Sequence, residues 1–204
     1  MARGKFFSET MYEAVLSGTK TMFRSPIKPQ PTGVRNSVFV KSGLEDYHGR
    51  ELKPRYLPGE SLYIKEPYKK HTHSLVMGVH TSILYKYGEL QPCNKVGLFN
   101  GGKSYYTEWQ NKLFMPERFA RNYIEIISVK AEKLQDISEN EAILEGIGRW
   151  NGFYHANLFD KKTGQLLVHK TPQQAFAALW DSINKKNKWE TNPWCFCYEF
   201  RLIK

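Results

Sequence analysis

The most constraining segment of this chain is its last long one. Residues 194–203, WCFCYEFRLI, carry an aromatic or apolar side chain at nearly every position, which predicts a strand packed into a curved or closed sheet. A second long strand is predicted over 123–134, where apolar and polar residues alternate. Shorter ones are predicted at 37–41, at 61–65 behind the turn dipeptide Pro58-Gly59, and once or twice within 75–87. Helices are few and each is announced by its ends. Ser8 caps one over about 9–17 that stops at Gly18, Ser138 and Glu141 form a capping box for one ending at Gly146, and Thr171-Pro172 starts QQAFAALWDSIN. Strands separated by a few helices without regular βαβ alternation predict an α+β fold. Residues 88–112 and 148–170 have no clear period and are predicted to be irregular insertions, the second with a short hairpin about Thr163-Gly164. The prolines of SPIKPQPTG predict a loop, so Lys20 and Arg24 are expected at a helix-to-loop corner.

The 204 residues suffice for one real core, and 41% hydrophobic with 25% charged residues argues against disorder. Lysine and arginine number 30 against 20 acidic residues, leaving a formal charge of +10. That excess suits an anionic partner, whose condensed counterions are released on binding, although solubility alone also makes proteins basic. The start MARGKFFSETMYE lacks a signal-peptide apolar region and no apolar run reaches membrane-spanning length, so a cytoplasmic monomer with no membrane contact is expected.

Two motifs invite chemistry and are set aside. Residues 97–104, GLFNGGKS, satisfy G-x-x-x-x-G-K-S, but a phosphate-binding loop must leave a buried apolar strand and enter a helix, and GELQPCNKV before it is polar and contains Pro92. A Gly-rich hairpin tip is expected, and no ATP binding. The cysteines are Cys93, Cys195 and Cys197; the last two stand two apart on the closing strand, so they share a face and read as small packed residues. No metal or cofactor is expected.

Several segments, in order, resemble the ASCH family in its phage and prophage versions. FSETMYEAVLSGTKTMFR is similar to the family's opening helix and G-x-K-T…R corner, with Gly18, Lys20, Thr21 and Arg24. LPGESLYIKEPY resembles its P-G-D/E-x-L-W/Y-V/I-x-E segment through Gly59, Glu60, Leu62, Tyr63 and Glu66. LFMPERFARNYIEI matches a phage-type segment at Met115, Pro116, Ala120 and Arg121, LQDISENEAILEGI matches most closely, and LWDSINKKNKWETNPWCFCYEF resembles the closing helix and strand. The resemblance covers nearly all of 1–204. It implies a single ASCH domain on a PUA-like β-barrel, with flanking helices and a basic cleft for a nucleotide or nucleic acid strand.

What the resemblance implies for residues follows by motif. Some small members hydrolyse the acetyl amide on cytidine with a lysine, a threonine and a glutamate; the lysine here is Lys20 and the glutamate Glu145. The threonine position holds Phe23, which cannot be a nucleophile, leaving Thr21 or Thr19 as substitutes. A poor or inactive amidohydrolase is therefore expected, with Phe23→Thr raising any activity. Ribonuclease activity is a further hydrolase reading, and a phage interaction or scaffold protein a third class. The leading reading is binding of RNA, another single strand or a modified nucleoside: Lys20, Arg24, Arg118 and Arg121 on phosphates, Glu66 in the cleft, and Phe23 and Trp109 under bases, with Trp150 a further stacking candidate. Lys20, Arg24 and Glu145 are expected to converge on one concave pocket.

Overall fold

The computed structural model of the protein describes residues 3–34, 44–75, 78–86, 104–106 and 108–203. The strand expected over 37–41, Cys93 and residues 97–103 of the Gly-rich motif lie outside the described residues. In chain order the elements are β1 (Arg3–Phe6), α1 (Glu9–Leu16), β2 (Met22–Pro26), β3 (Gly33–Val34), β4 (Leu44–Glu45), β5 (Ser61–Lys65), β6 (Tyr68–Leu75), β7 (Gly78–Tyr85), β8 (Ser104–Tyr106), β9 (Tyr123–Lys133), α2 (Glu139–Leu144), β10 (Gly148–Trp150), β11 (Phe153–His155), α3 (Pro172–Ile183) and β12 (Trp194–Ile203). The fold is mixed α+β with a core made mostly of sheet. No helix among the described residues is long and apolar enough to cross a membrane.

The chain divides into two compact units. The first comprises Met1–Glu13, Ser61–Ile124 and Ile203–Lys204. In it β1 runs parallel to β5, from Arg3 opposite Leu62 to Phe6 opposite Lys65. A Cβ at Gly4 would meet the side chains of Lys65 and Tyr63. β6 pairs antiparallel with β7 on one side and β8 on the other. Phe7, Met11, Tyr12, Leu62, Tyr63, Ile64, Tyr68 and Met115 are buried.

The second unit comprises Ala14–Glu60 and Glu125–Leu202. Here β9 lies beside β12, and β12 pairs antiparallel with β2. The register sets Cys197 opposite Arg24 and Tyr198 opposite Phe23. Opposed residues share a face and successive ones alternate, so Arg24 and Cys197 occupy one face while Phe23 and Tyr198 occupy the other. α3 buries Ala175, Phe176, Leu179 and Trp180, a stripe at helical spacing, and Thr171 caps it by accepting from the Gln174 N–H at 3.3 Å. Arg24 is inside a strand rather than at the loop corner that Ser25 and Pro26 suggested. β2 ends its ladder at the sheet edge, where the missing N–H of Pro26 breaks little pairing.

Candidate functional site

The second unit contains a buried ionic cluster built around Lys20 and Glu145. Glu145 is the C-terminal cap of α2, with Gly146 following at φ 98°, and an anion at this end of a helix is unfavourably placed. Lys20 answers both the helix end and the charge. Its Nζ donates to the Glu145 carbonyl oxygen at 2.6 Å, to Glu145 Oε2 at 3.0 Å and to the Met22 carbonyl at 2.8 Å, so all three ammonium protons are used.

Arg24 joins the same carboxylate from β2. One terminal nitrogen donates to Glu145 Oε1 at 3.1 Å and the other to Glu132 Oε1 at 2.6 Å and Glu141 Oε2 at 3.2 Å. Glu141 is also the capping-box residue, accepting from the Ser138 N–H at 3.0 Å, and Lys130 pairs with both Glu132 and Glu141. The Arg24 side chain is fully buried, and both side chains of the Lys20–Glu145 pair are 5% exposed. Its Nε finds no acceptor among the described residues, while its guanidinium carbon stands 5.8 Å from the Phe176 ring centroid.

The electrostatics follow from this enclosure. Burial alone would lower the Arg24 pKa, but the surrounding acids outweigh it and hold the guanidinium above its ordinary value. Burial would likewise raise Glu141; hydrogen bonds from Lys130 and the Ser138 N–H, with the nearby Arg24 charge, instead bring it down to about 2. Glu132 is lowered in the same way, with burial opposing Lys130 and Arg24. The Cys197 thiol donates to Glu132 Oε1 at 3.2 Å, and burial pushes its pKa up; Cys195 is pushed up to about 12, again by burial. Both are poor nucleophiles in the folded state. The described residues contain no group of His, Cys, Asp or Glu arranged to hold a metal ion.

The structure therefore brings Lys20, Arg24 and Glu145 together and leaves other expected residues elsewhere. Phe23 is 4% exposed and stacks on Tyr198 with ring centroids 4.7 Å apart, edge-on to Tyr56 at 6.1 Å. It is a core residue on the face opposite Arg24 and offers no surface to a base. Thr21 is half-buried, its N–H donating to the Leu144 carbonyl at 2.9 Å, and Thr19 is exposed with its hydroxyl donating to the Ala14 carbonyl at 3.1 Å. The sequence did not single out Lys130 or Glu132, and it marked Cys197 as a packed strand residue without its acidic partner. Glu132 alternates with the apolar residues of β9 and looks like a solvent-facing strand position.

Glu66 and Arg121 form a separate cluster in the first unit. Glu66 is fully buried and takes Arg121 bidentately, Nε to Oε1 at 2.8 Å and the terminal nitrogen to Oε2 at 2.7 Å. The Tyr12 hydroxyl donates to Glu66 Oε1 at 3.3 Å and accepts from Asn122 Nδ2 at 2.8 Å. Burial first, and the Glu66 charge second, raise the Tyr12 pKa to about 12. Arg121 also lies 4.4 Å from the Tyr85 ring centroid. Nearby in sequence, the Lys69 ammonium is 5.0 Å from the ring of the exposed Trp109, and the guanidinium of exposed Arg118 is 4.9 Å from Phe119.

Comparison of the chain with protein-family models, curated proteins and solved structures returned no match.

Proposed function

We propose that this protein is a nucleic-acid-binding domain of the ASCH type, on a PUA-like β-barrel, that holds single-stranded RNA without turning it over. The observation that carries the reading is the cation–aromatic surface of the first unit. Lys69 on Trp109, and Arg118 and Lys70 on Phe119, set positive charge within 4.9–5.7 Å of ring centroids. An unpaired base stacks on such a ring while the neighbouring cation meets its phosphate. The formal charge of +10 supplies the long-range attraction.

The closed cluster of the second unit favours binding over hydrolysis. Lys20 has no unused proton donor and no free lone pair while it serves three acceptors, and no hydroxyl shares its face with Arg24 on β2. A labelled oligouridylate tests the proposal by fluorescence anisotropy. Affinity should fall steeply as salt rises to physiological strength, and Trp109→Ala should weaken it by about 1–3 kcal/mol. Absence of binding at low salt sinks the reading.

The hydrolase reading keeps one observation in its favour, the 3.0 Å contact of Lys20 with Glu145. Incubation with RNA and with acetylated cytidine, reading chain length and acetyl release together, decides between the two. Robust turnover lost in Lys20→Ala would replace binding by hydrolysis.

A further inference from the structure

The insertion over 148–170 contains a built surface that the sequence pattern did not reveal. β10 and β11 form a hairpin whose two turn residues, Asn151 and Gly152, have φ of 48° and 81°, as a type I′ turn requires. His169 then pairs with Tyr154 through both backbone bonds, at 2.8 and 2.9 Å, adding a third extended segment along β11.

That register sorts the side chains. Trp150 opposite Phe153 and Gly148 opposite His155 share one face, while Arg149, Tyr154 and His169 share the other. Gly148 leaves room for the His155 ring to lie against the strand, since a Cβ there would come within 2.7 Å of the imidazole. The exposed Lys170 follows His169 directly in the chain, at the end of this bridge. Trp150 is 56% and Phe153 43% exposed, so the large rings on this face remain in solvent.

Charge decides what such a face takes. Lys161, Lys162 and Lys170, with Arg149 on the opposite face of the hairpin, stand in this segment against Asp160 alone. The Asp160 carboxylate is occupied by its own turn, accepting from the N–H groups of Lys162 at 2.9 Å and Thr163 at 2.8 Å. Protein interfaces are depleted in lysine at their centres, whereas exposed rings beside cations on a flat β-surface suit splayed bases and their phosphates.

We infer that this face is a stacking platform for unpaired bases of single-stranded nucleic acid, with Trp150 and Phe153 under bases and Lys170 beside a phosphate. The inference rests on the nucleic-acid reading above but uses residues distinct from those of the first unit. The test uses the full chain, a labelled oligouridylate, and an abasic oligomer of equal length that keeps phosphates and lacks bases.

Trp150→Ala with Phe153→Ala should weaken oligouridylate binding by roughly 30-fold or more with an unchanged salt slope, because two stacked bases are lost and stacking releases no counterions. Lys170→Gln should lower the slope by about one and reduce affinity for both oligomers alike. Wild-type protein crosslinked to an oligomer bearing 5-iodouridine should carry the adduct on Trp150 or Phe153, a readout that needs no variant to fold. Equal binding by wild type and the double variant, with no adduct in 148–155, overturns the platform and leaves the proposed function standing. No binding by wild type overturns both. A wild-type dimer dissociated by the double variant, with RNA binding unchanged, would make this a self-association face and likewise overturn the platform.

Discussion

Neutralising Glu145 probes what the buried cluster does. Glu145→Gln keeps the side-chain shape but removes the charge that faces Lys20 at 3.0 Å and Arg24 at 3.1 Å, in a position only 5% exposed. Arg24 retains Glu132 and Glu141, whereas Lys20 keeps only neutral acceptors and becomes a buried cation with no anion. Breaking a buried pair from one side costs about 3–5 kcal/mol. For a chain of this size each kcal/mol moves the melting temperature by about 2–4 °C, so Tm should fall by roughly 6–20 °C. Urea unfolding should show a lower midpoint at constant slope. The companion variant Lys20→Met with Glu145→Leu removes both charges and should recover more than half of the loss, because apolar replacement of a buried pair is often close to neutral. A Glu145→Gln cost under about 1 kcal/mol, the range of a solvated surface pair, would refute the reasoning by showing that water screens the cluster in solution.

Acid should loosen the second unit. Glu141 and Glu132 have depressed folded pKa values, so the stability they contribute is present above the unfolded value of 4.5 and, for Glu141, is lost as pH falls toward about 2; urea midpoints across that window should show the decline, shallower in Glu141→Gln. In a Cys93→Ser background, Cys195 and Cys197 should be silent to a thiol reagent in the native state and both react in denaturant, since both are buried with raised pKa values. Phe23→Thr should cost about 3–5 kcal/mol, as large-to-small changes in a packed core do, and release no acetate from acetylated cytidine; turnover in that variant would show that position 23 reaches the ionic face.

Local chemistry made the helices legible. The Ser138–Glu141 capping box and the Thr171 cap with Pro172 after it act through neighbours in sequence, and both are formed as their residues imply. The long strands were legible for the same reason, since alternation along β9 and the aromatic run of β12 are written into consecutive residues. The ionic cluster was not. Glu132 and Lys130 owe their place to strand pairing more than 100 residues from Arg24, which no short-range pattern encodes. β2 was missed because Ser25 and Pro26 carry loop chemistry that an edge strand tolerates. The Asn151-Gly152 hairpin was missed although its dipeptide favours such a turn, because its flanking rings stay exposed and produce no core-like alternation.

The two faces of the β2–β12 pair bear directly on which chemistry this protein can perform. A hydroxyl or thiol that attacks a carbonyl beside Lys20 and Glu145 must lie on the face that carries Arg24. On β2 and β12 that face presents Met22, Arg24, Pro26, Cys195, Cys197 and Glu199, and the cysteines alone among these carry a thiol or hydroxyl. Burial holds both thiols protonated, and Cys197 spends its proton on Glu132. Phe23, at the position where the resemblance would place a threonine, points to the aromatic side with Tyr56, Tyr198 and Phe200. Bringing position 23 to the ionic face would require the strand to shift by one residue, which would carry Arg24 into the aromatic core and Phe23 into the carboxylates. Neither exchange is tolerable, so the β2–β12 register holds position 23 on the aromatic side, away from Lys20 and Glu145.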